Sequence, residues 1–345
     1  MTKGLLRTIG TGFVAAALFL PTALRADAVA DFYKGKNVTV IVGFSAGGTY
    51  TLYARLLARH LSQFIPGNPT FVIQNMPGGG GVKSTNFLYN VSPRDGSVIG
   101  MPSDAIALTN ALTPNRVKYK AVDFNYIGAS VRVGYAMVLR TDLGIRSFED
   151  LTKKQAVVSS SGGGSVGFLL PKMLQWASDA KIKMVSGYRG SRPQLLAIER
   201  GESQGAVFAW TAWKTLKPEW FKSGFVAPIV QFGPTREPDM QNVPLGSEVV
   251  KTDEQKAFAR FMATNAVVGR GFMTPPAVSA DKVKALRDAF DKMVANEGYI
   301  TDAKSRGAFL SPVRGIEMQA AVAEAMSIDP KLVAKARAAM FPKKN

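Results

Sequence analysis

From residue 38 onward, apolar and polar positions switch back and forth between two periods. Val38–Thr39–Val40–Ile41–Val42 is an unbroken β-forming run and predicts a strand. Small and polar residues, Gly43–Phe44–Ser45–Ala46–Gly47–Gly48–Thr49, separate it from Leu52, Tyr53, Leu56, Leu57, Leu61 and Phe64, which recur at helical spacing until Gly67 and Pro69 end the pattern. A second strand, Phe71–Gln74, runs into Pro77 and four glycines, Gly78 to Gly81; residues 82–90 read as helix, Pro93–Gly96 as a turn and Val98–Met101 as a strand. The same grammar restarts later. Strands are expected at Tyr135–Leu139, Ala156–Ser159, Lys183–Val185 and Ala206–Phe208, with helices over about 168–177 and 193–200. Strands separated by helices imply βαβ units and mainly parallel sheets.

Two Gly-rich strand-to-helix loops, roughly 115 residues apart, imply two similar α/β lobes rather than one long sheet. The C-terminal part carries a strand-like run, Ala266–Val268, and a helix with Val283, Leu286, Phe290 and Met293 on one face, but no Gly-rich loop. It is therefore assigned to the first lobe. The expected division is residues 29–130 plus 250–345 for lobe 1 and residues 131–249 for lobe 2.

A length of 345 residues fits two domains. The absence of cysteine excludes disulfide scaffolds, zinc–cysteine sites and thiol nucleophiles, and one histidine, His60, leaves little for imidazole chemistry. His60 shares a helical face with Leu56, Leu57, Leu61 and Phe64, which predicts packing at the core edge. The net charge of +18 points to anionic partners. Residues 1–28 read as a secretory signal: Lys3 and Arg7, an apolar run from Phe13 to Leu20, Pro21, and the small-x-small triplet Ala26–Asp27–Ala28. Cleavage there would start the mature chain near Val29 with a charge of +16 and place it in the periplasm. An exported protein has little access to ATP or NAD, and no cofactor, metal or nucleic-acid partner is expected.

The loop around residue 164 matches two enzyme patterns and satisfies neither. Gly162-x-Gly164-x-x-Gly167 resembles a dinucleotide fingerprint, but Ser186, Gly187 and Tyr188 stand where an acid should hold the ribose. Gly163-x-Ser165-x-Gly167 resembles a hydrolase elbow, but the sole histidine precedes Ser165 by 105 residues. What remains is simpler. A strand that ends in small residues before a helix start offers unpaired backbone N–H groups and a positive dipole end to an anion. Ser159, Ser160, Ser161 and Ser165 add hydroxyls there, as Ser45, Thr49 and Thr51 do in the first loop. Pro171, best suited to a first turn, puts the regular helix start near Leu170. Arg189 and Arg192 could pair a carboxylate, and Trp210 and Trp213 could line a cleft.

The chain resembles the extracytoplasmic solute receptors of tripartite tricarboxylate transporters, the Bug or TctC-like family. The resemblance is carried by Phe44–Gly48 with Tyr53–Ala54–Arg55, Pro66–Gly67–Asn68–Pro69, Gln74–Gly81, Pro93–Gly96, Tyr188–Ser191, Val243–Pro244 and the stretch from Pro275–Pro276 to Phe290. It spans essentially all of the mature chain. It implies an α/β two-lobed periplasmic binding protein fold, type II-like, that closes on a small carboxylate, a di- or tricarboxylate or an aromatic carboxylate, held largely by backbone groups and waters. The ligand set is then Phe44, Ser45, Ala46, Gly47, Gly48, Thr49 and Thr51 in the first loop, Asn75, and Ser103 and Asp104. In the second lobe it adds Ser160, Ser161, Gly164, Ser165 and Val166, then Arg189, Gly190 and Trp210. The chain departs from the family pattern at Thr51 and Gln204, where many relatives carry acids, and this fits an anionic or neutral ligand. The expected protein is a non-enzymatic monomer that hands its ligand to transporter membrane subunits. The alternatives are a receptor serving a sensor kinase, an exported serine hydrolase using Ser165, and a basic surface-binding protein.

Overall fold

The computed structural model describes residues 22–342. Eleven strands form two separate sheets. The first contains β1 (Asn37–Val42), β2 (Thr70–Asn75), β3 (Val98–Met101), β4 (Asn125–Ala129), β10 (Gly271–Thr274) and β11 (Val313–Arg314), in the order β11-β4-β10-β3-β1-β2. The second contains β5 (Tyr135–Arg140), β6 (Ala156–Ser160), β7 (Ile182–Ser186), β8 (Gly205–Ala209) and β9 (Val226–Phe232), in the order β7-β6-β8-β5-β9. Chain order explains the split: β4 leads directly into β5 in the other sheet, and the chain returns only after β9.

Both sheets are mixed, where the sequence pattern predicts mainly parallel ones. β1 pairs in parallel with β2 and β3, and β6 in parallel with β7 and β8. β10 runs antiparallel to β3 and β4, and β5 antiparallel to β8 and β9. The parallel parts are the βαβ units the periodicity reveals. The antiparallel strands arrive by long excursions that local spacing does not encode. β8 and most of β5 are fully buried, so they read as apolar runs rather than alternating ones.

Two local expectations are corrected. Ala266–Val268 is not a strand: residues 264–266 form a turn of 3₁₀ helix, and the strand follows at Gly271–Thr274. A short apolar run fits a buried turn as well as a strand. The helix after β6 starts at Val166, not near Leu170, and carries Pro171 in its interior. There Pro171 cannot donate to the carbonyl of Gly167. His60 sits at the core edge as its helical face predicts, with its ring edge-on to Tyr299 and Nε2 at 3.0 Å from Asp302.

The segment read as a signal lies largely outside the described residues. A helix, Thr22–Tyr33, crosses the expected cleavage point, and beyond that point Val29 and Tyr33 are buried, with the Tyr33 hydroxyl donating to the Gly96 carbonyl. Among the described residues no helix is long and apolar enough to cross a membrane.

Candidate ligand site between the lobes

In each sheet the parallel strands branch to both sides of one strand: β2 and β3 flank β1, and β7 and β8 flank β6. The carboxyl end of such a strand is a switch point, where the following connections diverge and leave a crevice. Both Gly-rich loops occupy these points. The first leads into the helix Thr49–His60 and the second into the helix Val166–Ala177.

The loops meet across the lobes in a crossed pattern. The first loop touches the segment after β7, with the Ser45 amide donating to the Arg189 carbonyl at 2.8 Å. The second touches the four-glycine segment after β2, with the Gly164 amide donating to the Gly79 carbonyl at 3.0 Å. Gly80 needs to be glycine here. Its φ is +71°, and a methyl group on it would fall 2.5 Å from the Ser165 amide nitrogen. Ser103 and Thr109 add hydroxyl donors to the Gly164 carbonyl, at 3.1 and 3.3 Å.

Between these two seams lies a cavity of about 50 Å³, room for a few waters or a compact small molecule. Three helices begin on its wall: Thr49–His60, Val166–Ala177 and Ser191–Glu199. None has a side-chain cap on its first N–H groups. Their first-turn residues Thr49, Tyr50, Val166, Gly167 and Ser191 line the cavity. Uncapped helix starts combine free N–H donors with the positive end of the macrodipole, the equipment for binding an anion.

Of the sequence-predicted residues, Phe44, Ser45, Gly48, Thr49, Asp104, Ser161, Ser165 and Val166 line this cavity. The others stand around it. Asn75 donates through Nδ2 to the Phe44 carbonyl (2.8 Å) and to Thr51 Oγ1 (2.9 Å), which braces the first loop from behind. Ser103 and Gly164 belong to the seam, and Gly190 packs on Ser45. Gly47 lies against the Arg192 side chain, and Ala46 and Arg189 are exposed. The Ser160 hydroxyl bonds that of Ser186 at 2.7 Å. Trp210 does not line the cavity; its indole donates to Asp239 Oδ1 at 2.7 Å and its ring packs edge-on against Phe221.

The structure adds residues that the sequence reading passes over, chiefly Arg270, Tyr50, Tyr135 and Gln194. Arg270 is 3% exposed. Its Nη1 donates to Asp104 Oδ2 at 2.7 Å and its Nε to Thr49 Oγ1 at 3.3 Å, while the guanidinium lies over the Tyr50 ring. Burial would lower the Arg270 pKa, but Tyr50 and Asp104 more than offset it and hold the group above its ordinary value, so it stays charged. Burial, reinforced by Asp104, pushes the Tyr50 hydroxyl upward. Arg270 directly precedes β10, which lies three strands from β2 in the sheet but far from it in sequence. A lone arginine among 43 basic residues gives no local signal of this.

Two sheets whose switch-point loops face one cavity between them make a two-lobed α/β fold. Its solved neighbours share that fold. The chain superposes on the periplasmic binding protein BugD with a TM-score of 0.69 at 20% identity, covering 88% of this chain and 98% of BugD. It superposes on MatC from Rhodopseudomonas palustris, solved with bound malate, with a TM-score of 0.68 at 18% identity, covering 86% and 99%. By sequence it is 32% identical over 192 residues to the UPF0065 protein in the TAR-I ttuE–ttuC′ intergenic region of Agrobacterium vitis, covering 54% of this chain and 53% of that relative. It is 29% identical over 196 residues to protein BugT of Bordetella pertussis, covering 53% and 58%. These alignments span about half the length of each relative. No model of a known protein family matches the chain. The likeness in sequence is thus to UPF0065 and Bug proteins over about half the chain, and the likeness in fold is to solved periplasmic binding proteins.

Proposed function

We propose that this protein is a periplasmic solute-binding protein that closes two lobes on a small carboxylate and delivers it to the membrane subunits of a tripartite tricarboxylate-type transporter. The observation that carries the reading is the convergence of three uncapped helix starts on one cavity. Free N–H donors around a common space stabilise a negative group, and the charged Arg270 lines the same space. The malate and adipate held by two structural neighbours are of the same chemical class. We place the division between the lobes at about residue 130, between β4 and β5, and at about residue 250, within the stretch that joins β9 to β10.

We read the site as binding its ligand rather than turning it over. The Ser165 hydroxyl donates to the Gly162 carbonyl at 2.8 Å, and His60, the only histidine, is engaged with Asp302 on another part of the molecule. No group of three or more His, Cys, Asp or Glu side chains among the described residues is placed to hold a metal ion.

The test is a melting-temperature screen of mono-, di- and tricarboxylates, followed by calorimetric titration and small-angle scattering with and without the best ligand. A ligand at 100 times its Kd should add about 2.7 kcal/mol of stability. The scattering profile should compact on saturation. A screen in which no carboxylate raises the melting temperature sinks the proposal. Ligand binding without compaction sinks its closure step.

A further inference from the structure

Three polar atoms on the residues that line the cavity have no hydrogen-bond partner among the described residues: Oδ1 of Asp104, the hydroxyl of Tyr135 and Oε1 of Gln194. Asp104 and Tyr135 are each 1% exposed and Gln194 is 2% exposed. Buried polar atoms are rarely left unpaired, so three of them around one cavity call for an occupant.

What each atom can do is fixed by the rest of its side chain. Gln194 donates through Nε2 to the Gly190 carbonyl at 3.0 Å, which sets the amide orientation and leaves Oε1 as an acceptor only. Asp104 commits Oδ2 to Arg270, so Oδ1 is likewise a free acceptor. Burial, reinforced by Asp104, raises the Tyr135 hydroxyl well above its ordinary pKa, so it keeps its proton and can donate or accept. Asp104 follows β3 and Gln194 lies in the helix after β7, so each lobe contributes one acceptor. The buried Arg270–Asp104 pair sums to zero charge, and Arg270 spends Nη1 and Nε on Asp104, Gly269 and Thr49 while Nη2 keeps its donors. The helix starts and this nitrogen suit a carboxylate. Asp104 Oδ1 and Gln194 Oε1 suit a donor group on the same ligand.

We propose that Asp104 and Gln194 select a small carboxylate that carries its own amino or hydroxyl donor. This rests on the carboxylate-binding reading above and narrows it. Sites built to accept a hydrogen bond from a ligand reject analogues that lack the donor, because their own polar atoms are then left unpaired.

The test is calorimetric titration of the purified full-length mature protein with matched four-carbon acids: butyrate against 2-hydroxybutyrate and 2-aminobutyrate, and succinate against 2-hydroxysuccinate. At least one donor-bearing acid should bind tenfold or more tightly than its donor-free parent. That margin should shrink to threefold or less in Gln194→Met. Tyr135→Phe provides a second variant, and it too should reduce the margin. Equal binding within both sets, or a preference for the donor-free parents, overturns this inference and leaves the carboxylate reading standing. A margin that persists in both variants overturns the assignment to these side chains. If none of these acids binds and the wider carboxylate screen is also blank, both readings fall together.

Discussion

The two Gly-rich loops do the same job by different means. Each follows a switch-point strand and opens an uncapped helix. The first takes its shape from side chains of its own lobe: Asn75 bonds the Phe44 carbonyl and Thr51, and Arg270 bonds Thr49. The second is bonded across the cleft, where Gly164 gives its amide to Gly79 and its carbonyl receives Ser103 and Thr109. If the lobes close as proposed, opening them leaves the first set of bonds in place and breaks the second; of the first loop it releases only the Ser45 amide from the Arg189 carbonyl. The proposed clamp thus has one jaw formed largely in advance and one that sets as it closes. A preformed donor array binds without paying for its own ordering, whereas the second loop would link ligand capture to closure.

The largest expected effect attacks the preformed jaw. Arg270→Met removes one partner of a buried ion pair and leaves the Asp104 carboxylate uncompensated, so stability should fall by about 3–5 kcal/mol in chemical denaturation. A loss below about 1 kcal/mol would show that the first loop does not depend on this pair. Asn75→Ala should cost less, about 1–3 kcal/mol, because it strips donors from the buried Thr51 hydroxyl and the Phe44 carbonyl. Both costs should appear in the ligand-free protein, since the bonds they remove do not need closure. If Asn75→Ala instead leaves stability alone and abolishes binding, Asn75 is a direct ligand group as its sequence motif suggests, and the comparison of jaws loses one support.

The second jaw should answer in the opposite way. A methyl group on Gly164 would fall 2.7 Å from the Gly79 carbonyl oxygen, a backbone atom that cannot swing aside. A methyl group on Gly48 would fall 2.7 Å from the Ser191 hydroxyl, which can rotate. Gly164→Ala should therefore weaken ligand binding about tenfold, or about 1.4 kcal/mol, and Gly48→Ala by threefold or less. Hydrogen exchange offers the same contrast without mutation: saturation with ligand should protect amides 162–165 far more than amides 46–49, with Ser45, bonded to Arg189 across the cleft, following the second group. Equal protection of both loops would mean that both jaws are preformed.

How much of this can be read from the chain follows from the range of the interactions. The strand-loop-helix order and the two Gly loops are local patterns, and the helix Thr49–His60 lies where Leu52, Leu56 and Leu57 put it. The crossed seam is not local. Both loops line the one cavity, yet each bonds the neighbour of its counterpart. The run Gly78–Gly81 is conspicuous in the sequence, but its reason, a backbone approach to Gly164 that leaves no space for a side chain at Gly80, exists only once the lobes meet. Arg270 and Gln194 were invisible for a related cause: a single polar residue becomes a site residue through burial, which composition and periodicity do not register.

The smallest expected effect concerns Ser165, the residue a hydrolase reading would prize. Its hydroxyl hydrogen is committed to the Gly162 carbonyl at 2.8 Å, and that carbonyl also receives the Ser165 backbone amide at 3.0 Å. Ser165→Ala therefore leaves the acceptor satisfied, and stability should change by less than about 1 kcal/mol. Toward a carboxylate the committed hydroxyl presents only lone pairs, which an anion cannot use. Affinity should fall by threefold or less, because the backbone N–H groups of Val166 and Gly167, not the side chain, face the charge. A tenfold loss in calorimetric titration would mean that the hydroxyl leaves Gly162 to bond the ligand. That would make the second loop rearrange its side chains as well as its backbone on closure, and the difference between the two jaws would be larger than proposed.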